Sequence, residues 1–482
     1  MASSVLQAGV PSEETIEKEA PTPVVEEHLP VPAPYRLGPL KIPNYYSATA
    51  QVFIAGFVNF LAVGMFLVLT SLGGAGQLNA TTADNANTIL YVLFAVVSII
   101  AGPIVNAMGP RITLSLGALG YALYGASFWS YNQDFNSGFV LFGGAACGVG
   151  AALLWASSGQ IMTSYPTESD KSIHITLFYM LSYLGAVVGG IIPVAQNNNN
   201  TAAASVNTGT YVATTVLMIV SVFVPFALAS PDKIIRSDGT RVVVRPAESL
   251  PRELRNMVYS LKKDPMFLLF LPFGTAALFY APFQANDFNG YFFNVRTRAV
   301  NGLLYAIAEF IGCSTIALLD WKIVPRRTRA ICGWLMVLLM VLIVNICGYF
   351  PTTNSFRGVP YTPPMDISSP MAAKYMTLYF FYGFQDGVFQ AFAFWIIGVL
   401  SNDPYILATY SGLYKTFAAV GAAISFGMDA GGVDYMRMWG SDFAILMFGC
   451  LCLGPLVFIR VKDTSMDTPA PAVEAADEVK EV

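Results

Sequence analysis

Repeated long apolar runs constrain this chain more than any other feature of its sequence. The 482 residues contain twelve mainly apolar stretches of roughly 18 or more residues. As a helix, each stretch is long enough to cross about 30 Å of hydrocarbon. The chain is therefore predicted to be an all-α membrane protein with twelve transmembrane helices. The predicted spans are 48–72, 87–107, 112–130, 138–162, 173–194, 210–230, 266–286, 299–319, 329–350, 373–399, 405–428 and 441–460.

The composition supports a membrane protein and excludes several other classes. Charged residues make up 12% of the chain and the mean hydropathy is +0.56, whereas a soluble domain carries about 25% charged residues. The net charge of -4 and the scattered basic residues do not favour a nucleic-acid partner. All six cysteines fall in apolar runs, and there are two histidines. These features favour neither a disulfide framework nor a metal or cofactor site.

A charged segment divides the predicted helices into two sets of six. Residues 231–265 hold eight Lys/Arg and five Asp/Glu, and 250–262 is a candidate amphipathic surface helix. This order is typical of two parallel repeats, so we predict one six-helix bundle at 47–230 and another at 266–462. The tails, 1–46 and 463–482, lack apolar runs and are predicted to be disordered. The first tail also lacks the features of a signal peptide.

The distribution of basic residues predicts that both termini are cytoplasmic. In that orientation, twenty of the 26 Lys/Arg lie on the cytoplasmic side. The five near the opposite side are Arg296, Arg298, Arg357, Lys374 and Arg437. Two N-x-S/T sequons, at Asn79 and Asn199, fall in loops predicted to be non-cytoplasmic, so glycosylation is expected there. The sequence does not distinguish the plasma membrane from an endomembrane.

Three charged residues fall near the middle of predicted helices, where a charge is costly and often functional. They are Glu309, Asp386 and Lys415, each about 15 Å from a helix end. The simplest arrangement pairs Lys415 with one carboxylate and leaves the other to exchange a proton. A buried ion pair that only holds helices together is the alternative. The first half offers polar residues instead, and Trp155, Gln160 and Asn59 are expected to face the charges across a cavity.

The loop after the second predicted helix resembles the G-x-x-x-D-R-x-G-R-R signature of the major facilitators. Gly102, Gly109 and Arg111 match, but Asn106 replaces the acid and Ala107 the base that follows. The resemblance implies a gate loop whose charge contacts are altered here. It also implies a fold in which the third, sixth, ninth and twelfth predicted helices are peripheral. The three central charges lie on the eighth, tenth and eleventh predicted helices (299–319, 373–399 and 405–428), which belong to the cavity-lining set.

A more specific resemblance is to the uncoordinated-93-like (UNC-93-like) family, a divergent branch of the major facilitators. It is carried by Gly148-Val-Gly150-Ala-Ala-Leu-Leu-Trp155 with Gly159-Gln160 and Thr163, and by Tyr410-Ser-Gly412-Leu-Tyr414-Lys415 with Gly421-Ala-Ala and Asp429. The resemblance spans roughly residues 45–462, and the chain looks most like fungal members. It implies a role for Lys415. Animal relatives include channel regulators and trafficking chaperones, plant relatives affect potassium balance, and fungal ones are described only as candidate transporters.

Two functions follow from these features. The first is a secondary transporter of a small solute or ion that works by alternating access, with the three charges as its polar cluster. The second is a non-transporting regulatory or trafficking partner of another membrane protein, which the altered gate loop favours. An enzyme is not expected, because no nucleophile elbow, phosphate-binding loop or nucleotide fingerprint occurs at convincing spacing. Expected partners are the lipid bilayer, an unknown solute or ion and a possible membrane-protein partner.

Overall fold

A computed structural model describes residues 29–463, except 32, 39, 78, 168–169, 243–254, 256–258, 260, 263, 321–323 and 402–403. Most of this part of the chain is helical. Its thirteen α-helices are α1 (Ala48–Leu61), α2 (Val63–Ser71), α3 (Thr81–Met108), α4 (Pro110–Asp134), α5 (Ser137–Ser164), α6 (Lys171–Asn197), α7 (Thr208–Phe223), α8 (Leu271–Ala276), α9 (Val295–Ile316), α10 (Arg326–Thr352), α11 (Ala372–Leu400), α12 (Pro404–Ala430) and α13 (Tyr435–Arg460).

Among the described residues, nine helical segments are long and apolar enough to cross a membrane. They are Ala48–Ser71, Thr81–Met108, Ser137–Met162, Ile173–Asn197, Thr208–Ala227, Val295–Ile316, Arg326–Thr352, Ala372–Leu400 and Tyr435–Arg460. Each overlaps one predicted span. The other three predicted spans coincide with α4, with the segment around α8, and with α12. The all-helical membrane architecture is thus confirmed, while the count of twelve spans stays a prediction.

The predicted span 266–286 does not form one regular helix. The chain passes through a 3-10 helix (Pro265–Phe270), the short α8 and a π-helix (Phe283–Gly290). We call residues 265–290 the irregular segment. Pro282 precedes the π-helix, and proline has no amide hydrogen for a regular helical bond. Irregular backbone of this kind is tolerated at membrane depth only where protein or a cavity surrounds it.

The loops gather at two ends of the molecule. Several loops meet at one end, which we call the arginine end: 72–80, 198–207, 291–294, 353–371 and 431–434. There Val206 N–H donates to Gly76 O (2.8 Å), and Asn294 N–H donates to Met365 O (3.1 Å). At the other end, which we call the connector end, residues 231–242 join loop 165–170 and the chain before α1. There Ile235 N–H donates to Tyr46 O over 3.0 Å.

Residues before α1 are partly ordered, which corrects the prediction of a wholly disordered first tail. Strands β1 (Tyr35–Leu37) and β2 (Leu40–Ile42) form an antiparallel hairpin. Leu29 N–H donates to Gly239 O of the connector over 2.9 Å. Residues 1–28 and 464–482 of the predicted tails lie outside the described residues, as does most of the predicted surface helix at 250–262.

The described helices pack around three hydrophobic cores. Residues before the connector, the first half, supply most of one core, which also includes Val295 and Ala299 of α9 and Phe426 of α12. Residues after the connector, the second half, build the other two. Close helix packing in the first half depends on glycine, because a Cβ on Gly148 would lie 2.3 Å from Leu90 O. The halves touch where α3 meets α12, with Tyr91 stacked on Phe426 at 5.6 Å. They touch again where α6 meets α9.

Candidate functional site

Asp386 on α11 is a buried carboxylate held by two phenols. It is 8% exposed. Tyr280 of the irregular segment donates to Oδ1, and Tyr305 of α9 donates to Oδ2 over 3.0 Å. Hydroxyl donors stabilise an ionised carboxylate away from water. Asp386 therefore connects three elements of the second half: α11, the irregular segment and α9.

Gln390, one helical turn after Asp386, extends this polar group. Its amide donates to Ala277 O (3.1 Å), and its carbonyl accepts from the Tyr414 hydroxyl (2.7 Å). Ala277 belongs to the irregular segment and Tyr414 to α12. A glutamine on α11 thus hydrogen-bonds to a backbone carbonyl of the irregular segment.

Lys415 on α12 lies against aromatic rings. Its Nζ is 4.5 Å from the ring centre of Trp155, 5.3 Å from Phe394 and 5.7 Å from Tyr414. Such cation–π contacts reach about 2 kcal/mol or more when they are desolvated. Tyr179 completes the ring cluster, stacked on Trp155 at 6.1 Å. We call these four side chains the aromatic cage; it draws on both halves of the chain.

The predicted ion pair between Lys415 and a carboxylate is wrong for this structure. Among the described residues, the ion pairs closer than 4.0 Å do not include Lys415. Asp386 and Glu309 remain within electrostatic range of the ammonium. The rings of the cage occupy the position around Nζ where a carboxylate was expected.

Glu309 on α9 is 5% exposed. No hydrogen-bond donor from the described residues contacts its carboxylate, although Asp386 and Lys415 act on it electrostatically. The helices α9 and α11 approach closely here, since a Cβ on Gly387 would lie 2.1 Å from Glu309 O. Glu309 therefore supplies a second acid to the same region, with its hydrogen-bonding capacity unused.

The structure brings together four of the six predicted cavity residues: Glu309, Asp386, Lys415 and Trp155. Gln160 lies elsewhere, nearer the connector end, where its amide donates to Asn106 Oδ1 over 3.0 Å. Asn59 on α1 is fully buried, and both its amide atoms lack partners among the described residues. Neither is hydrogen-bonded to the charged cluster.

The predicted gate loop has a hydrogen bond in place of the family's charge contact. Gly102 lies within α3, and Gly109 ends that helix with a φ of 80°, a conformation that glycine adopts readily. Asn106 accepts the bond from Gln160 of α5. Arg111 opens α4, and its Nε is buried without a partner among the described residues. A neutral amide pair thus connects α3 to α5 here.

A second polar cluster, at the arginine end, was missed by the sequence analysis. Arg298 on α9 is 3% exposed. It donates to four carbonyls of the first half: Leu72 O (2.8 Å), Gly73 O (2.8 Å), Gln77 O (3.3 Å) and Ala204 O (3.4 Å). The sequence analysis counted it among the charges of the non-cytoplasmic loops and nearby helix ends. Its position directly before a predicted helix was the available signal.

At the same end, one amide side chain hydrogen-bonds to carboxylates of both halves. Asn286 of the irregular segment donates to Asp84 Oδ1 (2.6 Å) on α3 and to Asp429 Oδ2 (2.8 Å) on α12. Arg357 pairs with Asp429 and, over 3.1 Å, with Asp287 Oδ1. All three aspartates are at most 3% exposed. Each lies within a few residues of a predicted helix end, where sequence reasoning treats a charge as solvated.

A more exposed ion pair fixes the loop before α11. Arg296 donates through Nε to Asp366 Oδ1 over 3.0 Å and through Nη2 to Oδ2. Asn294 and Ser368 donate to the same carboxylate. The Arg296 bonds, with these, hold the pKa of Asp366 well below its usual range. This pair lies wholly within the second half.

Comparison with known sequences agrees with this architecture. Residues 75–428 match the family described as "Ion channel regulatory protein UNC-93". The chain belongs to the UNC-93 family. An UNC93-like protein of Schizosaccharomyces pombe is 38% identical over 434 residues, covering 89% of this chain and 86% of its own. UNC93-like protein 1 of Arabidopsis thaliana is 35% identical, with 88% and 93% covered. The family resemblance found in the sequence is confirmed.

Solved structures place the UNC-93 chain among transporter folds. A bacterial homologue of the human lysosomal transporter Spinster, inward-facing and unoccupied, matches with a TM-score of 0.53 and 14% identity over 88% of this chain and 99% of its own. The fucose:proton symporter of Escherichia coli matches with 0.57 and 13% identity over 86% and 98%. At such identities the likeness concerns the fold alone, which is of the major-facilitator type.

Proposed function

We propose that this UNC-93 family member is a secondary transporter of a small solute or ion. Its twelve helices form two six-helix bundles, at 47–230 and 266–462, that alternate access to a central site. The observation that carries the proposal is Lys415, a cation from the second half held 4.5 Å from the Trp155 ring of the first half. A partly buried charge at the contact between two bundles changes its surroundings when the bundles move relative to each other.

The polar contacts at the arginine end supply the gate that alternating access needs. Arg298 and Asn286 link the halves there through hydrogen bonds, which can be exchanged for water when that end opens. An apolar seam of the same extent would resist opening, because its exposure to water is unfavourable. The arrangement thus supports closure at the arginine end, with access from the connector end.

The proposed topology places both termini and the connector in the cytoplasm, with the arginine end outside it. Asn79 and Asn199 are both exposed, in loops at the arginine end, and are the proposed glycosylation sites. Removing both sequons (Asn79→Gln, Asn199→Gln) is expected to abolish any shift in electrophoretic mobility on glycosidase treatment. A shift that survives both changes would contradict this assignment.

The site is tested by solute uptake into cells or liposomes that contain the full chain. Asp386→Asn and Lys415→Ala are both expected to reduce uptake at least tenfold, because each removes a charge that contacts the other half or the irregular segment. Lys374→Ala, at an exposed position at the start of α11, is the matched control. Uptake unchanged in both site variants, with the protein shown to reach its membrane, would refute the site.

The second candidate is a non-transporting regulator or trafficking partner. It is favoured by the neutral amide contact of Asn106 with Gln160, where the gate loop of a transporter carries a charge contact. Purification from native membranes decides between the two. One stoichiometric membrane-protein partner, together with no flux in liposomes for solutes that bind, would establish the regulator instead.

A further inference from the structure

The central site contains one cation and one anion that have no hydrogen-bond partners among the described residues. Lys415 lies against aromatic faces, and the acceptors that its three N–H groups require are not supplied by the described part of the chain. Glu309 receives no donor from this part. By contrast, Asp386 accepts from Tyr280 and Tyr305. The unused capacity is therefore one donor group and one acceptor group of opposite charge.

Both groups lie against α11, with the backbone of Glu309 beside Gly387 and Lys415 beside Phe394 two turns further along. Lys415 is only partly buried, as are Trp155, Phe394 and Tyr179 around it. Tyr179 and Phe394 come from different halves and pack at 4.9 Å, so this surface faces the interior between the halves rather than lipid. Asp386 and Glu309 both act electrostatically on Lys415, yet neither forms an ion pair with it.

We propose that the site binds a zwitterionic amino acid, with its carboxylate on Lys415 and its ammonium on Glu309. This inference rests on the proposed transport function and names the substrate class of that site. A buried charge without a partner is strongly unfavourable, and a zwitterion neutralises both ends at once. A simple amine would leave Lys415 without an acceptor, and a simple acid would leave Glu309 without a donor.

The aromatic rings that partly cover Lys415 are compatible with reversible binding of a solute at its ammonium group. A full ion pair with Glu309 or Asp386 would have to break before a solute could enter. A cation–π contact leaves the ammonium's N–H groups free to donate to a carboxylate while the rings remain in place. The cage thus holds Lys415 in position without consuming its hydrogen bonds.

Binding to the purified full chain tests the substrate class independently of flux. Each of the twenty common L-amino acids is measured by thermal stabilisation, and the tightest binder is compared with its carboxamide and its N-acetyl derivative. The amide keeps only the ammonium, and the N-acetyl form keeps only the carboxylate. The amino acid is expected to bind at least tenfold more tightly than either, since each derivative loses one charged hydrogen-bonded contact.

Two variants assign each end of the solute. Glu309→Gln is expected to remove the preference over the N-acetyl derivative, and Lys415→Met to remove the preference over the amide. Asp134→Asn and Lys374→Met, both at exposed positions, are matched controls expected to leave both preferences unchanged. Methionine keeps the apolar length of lysine within the cage, so this variant preserves the packing that alanine would remove.

The outcomes separate this inference from the proposed function. Binding without uptake into liposomes would support the amino-acid site and count against transport. Uptake of another solute that depends on Asp386, with none of the twenty amino acids bound, would keep transport and overturn the inference. Equal affinity for the amino acid and either derivative, or derivative preferences unaffected by Glu309→Gln and Lys415→Met, would also overturn it.

Discussion

Arg298 is the residue whose removal should most directly loosen the contact between the two halves. Its guanidinium donates to Leu72 O, Gly73 O, Gln77 O and Ala204 O at 2.8, 2.8, 3.3 and 3.4 Å. All four carbonyls belong to the first half, whereas Arg298 belongs to α9. Arg298→Met keeps the apolar length of the side chain and deletes every one of these donors.

The magnitude follows from the contacts that are lost. A hydrogen bond to a charged group contributes about 1.5–3 kcal/mol, and the desolvation of a buried guanidinium offsets much of the sum over four bonds. We therefore expect a net loss of about 3 kcal/mol, or roughly a hundredfold, in the preference for the state closed at the arginine end. The open state gains because its carbonyls can bond to water.

Thiol labelling measures this shift in a chain whose native cysteines are replaced. A Cβ at Gly427 on α12 would lie 3.7 Å from Thr88 Cγ2 on α3, so Gly427→Cys is shielded by the other half when that end is closed. Arg298→Met is expected to raise its rate of labelling by a soluble maleimide, up to roughly a hundredfold. The control Arg296→Met removes a neighbouring arginine whose partner, Asp366, lies in the second half. Equal rates in the parent and in Arg298→Met would refute the reasoning.

Three further predictions concern stability. Asp442→Leu should raise the melting temperature, because Asp442 is 1% exposed and neither carboxylate oxygen has a partner among the described residues; an unchanged or lower value would imply a bound water or ion. Gly148→Ala should cost about 1–3 kcal/mol, since its Cβ would lie 2.3 Å from a carbonyl oxygen of α3, while Gly440→Ala, which meets nothing within 4 Å, should be tolerated. The pKa of Asp366 is lower in the folded protein than in the unfolded chain. Its pair with Arg296 therefore stabilises the fold at pH values above the pKa of the unfolded chain, and this stabilisation is lost as the pH falls towards the pKa of the folded protein. The decrease in melting temperature caused by Arg296→Gln should thus be constant from about pH 5 to 8 and become smaller below about pH 4.

The central cluster could be predicted because the amino-acid sequence alone contains the signal for it. A charge in the middle of a long apolar run must face protein or water, so Glu309, Asp386 and Lys415 were assigned to the interior from spacing alone. Their partners were not predictable. Which way a helix is rotated decides whether Lys415 meets a carboxylate or the ring of Trp155, and hydropathy carries no information about rotation.

The arginine end escaped prediction for a different reason. Asp84 and Asp429 lie near helix ends, where an apolar run gives way to polar sequence and a charge is assumed to meet water. In the structure the loops fold over these ends and bury both residues to 3% exposure or less. Burial there depends on contacts between distant loops, such as Val206 with Gly76, which no local pattern reports.

The irregular segment joins the two polar clusters, and this gives it a role that a regular helix would not have. Tyr280 bonds to Asp386 at the central site, and six residues later Asn286 ties Asp84 to Asp429 at the arginine end. Asn286 lies within the π-helix Phe283–Gly290, a geometry often found at functional sites. A movement of Tyr280 away from Asp386 would therefore displace Asn286 as well.

Two phenols on one carboxylate provide the test of this coupling. Tyr280→Phe and Tyr305→Phe each remove one donor to Asp386. Both phenols also involve the irregular segment, because Tyr280 lies on it and the Tyr305 hydroxyl is 3.0 Å from Gln284 Oε1 of the π-helix. Both variants are therefore expected to change maleimide labelling of Gly427→Cys. If labelling is unchanged in both, the signal between the clusters does not pass through the irregular segment.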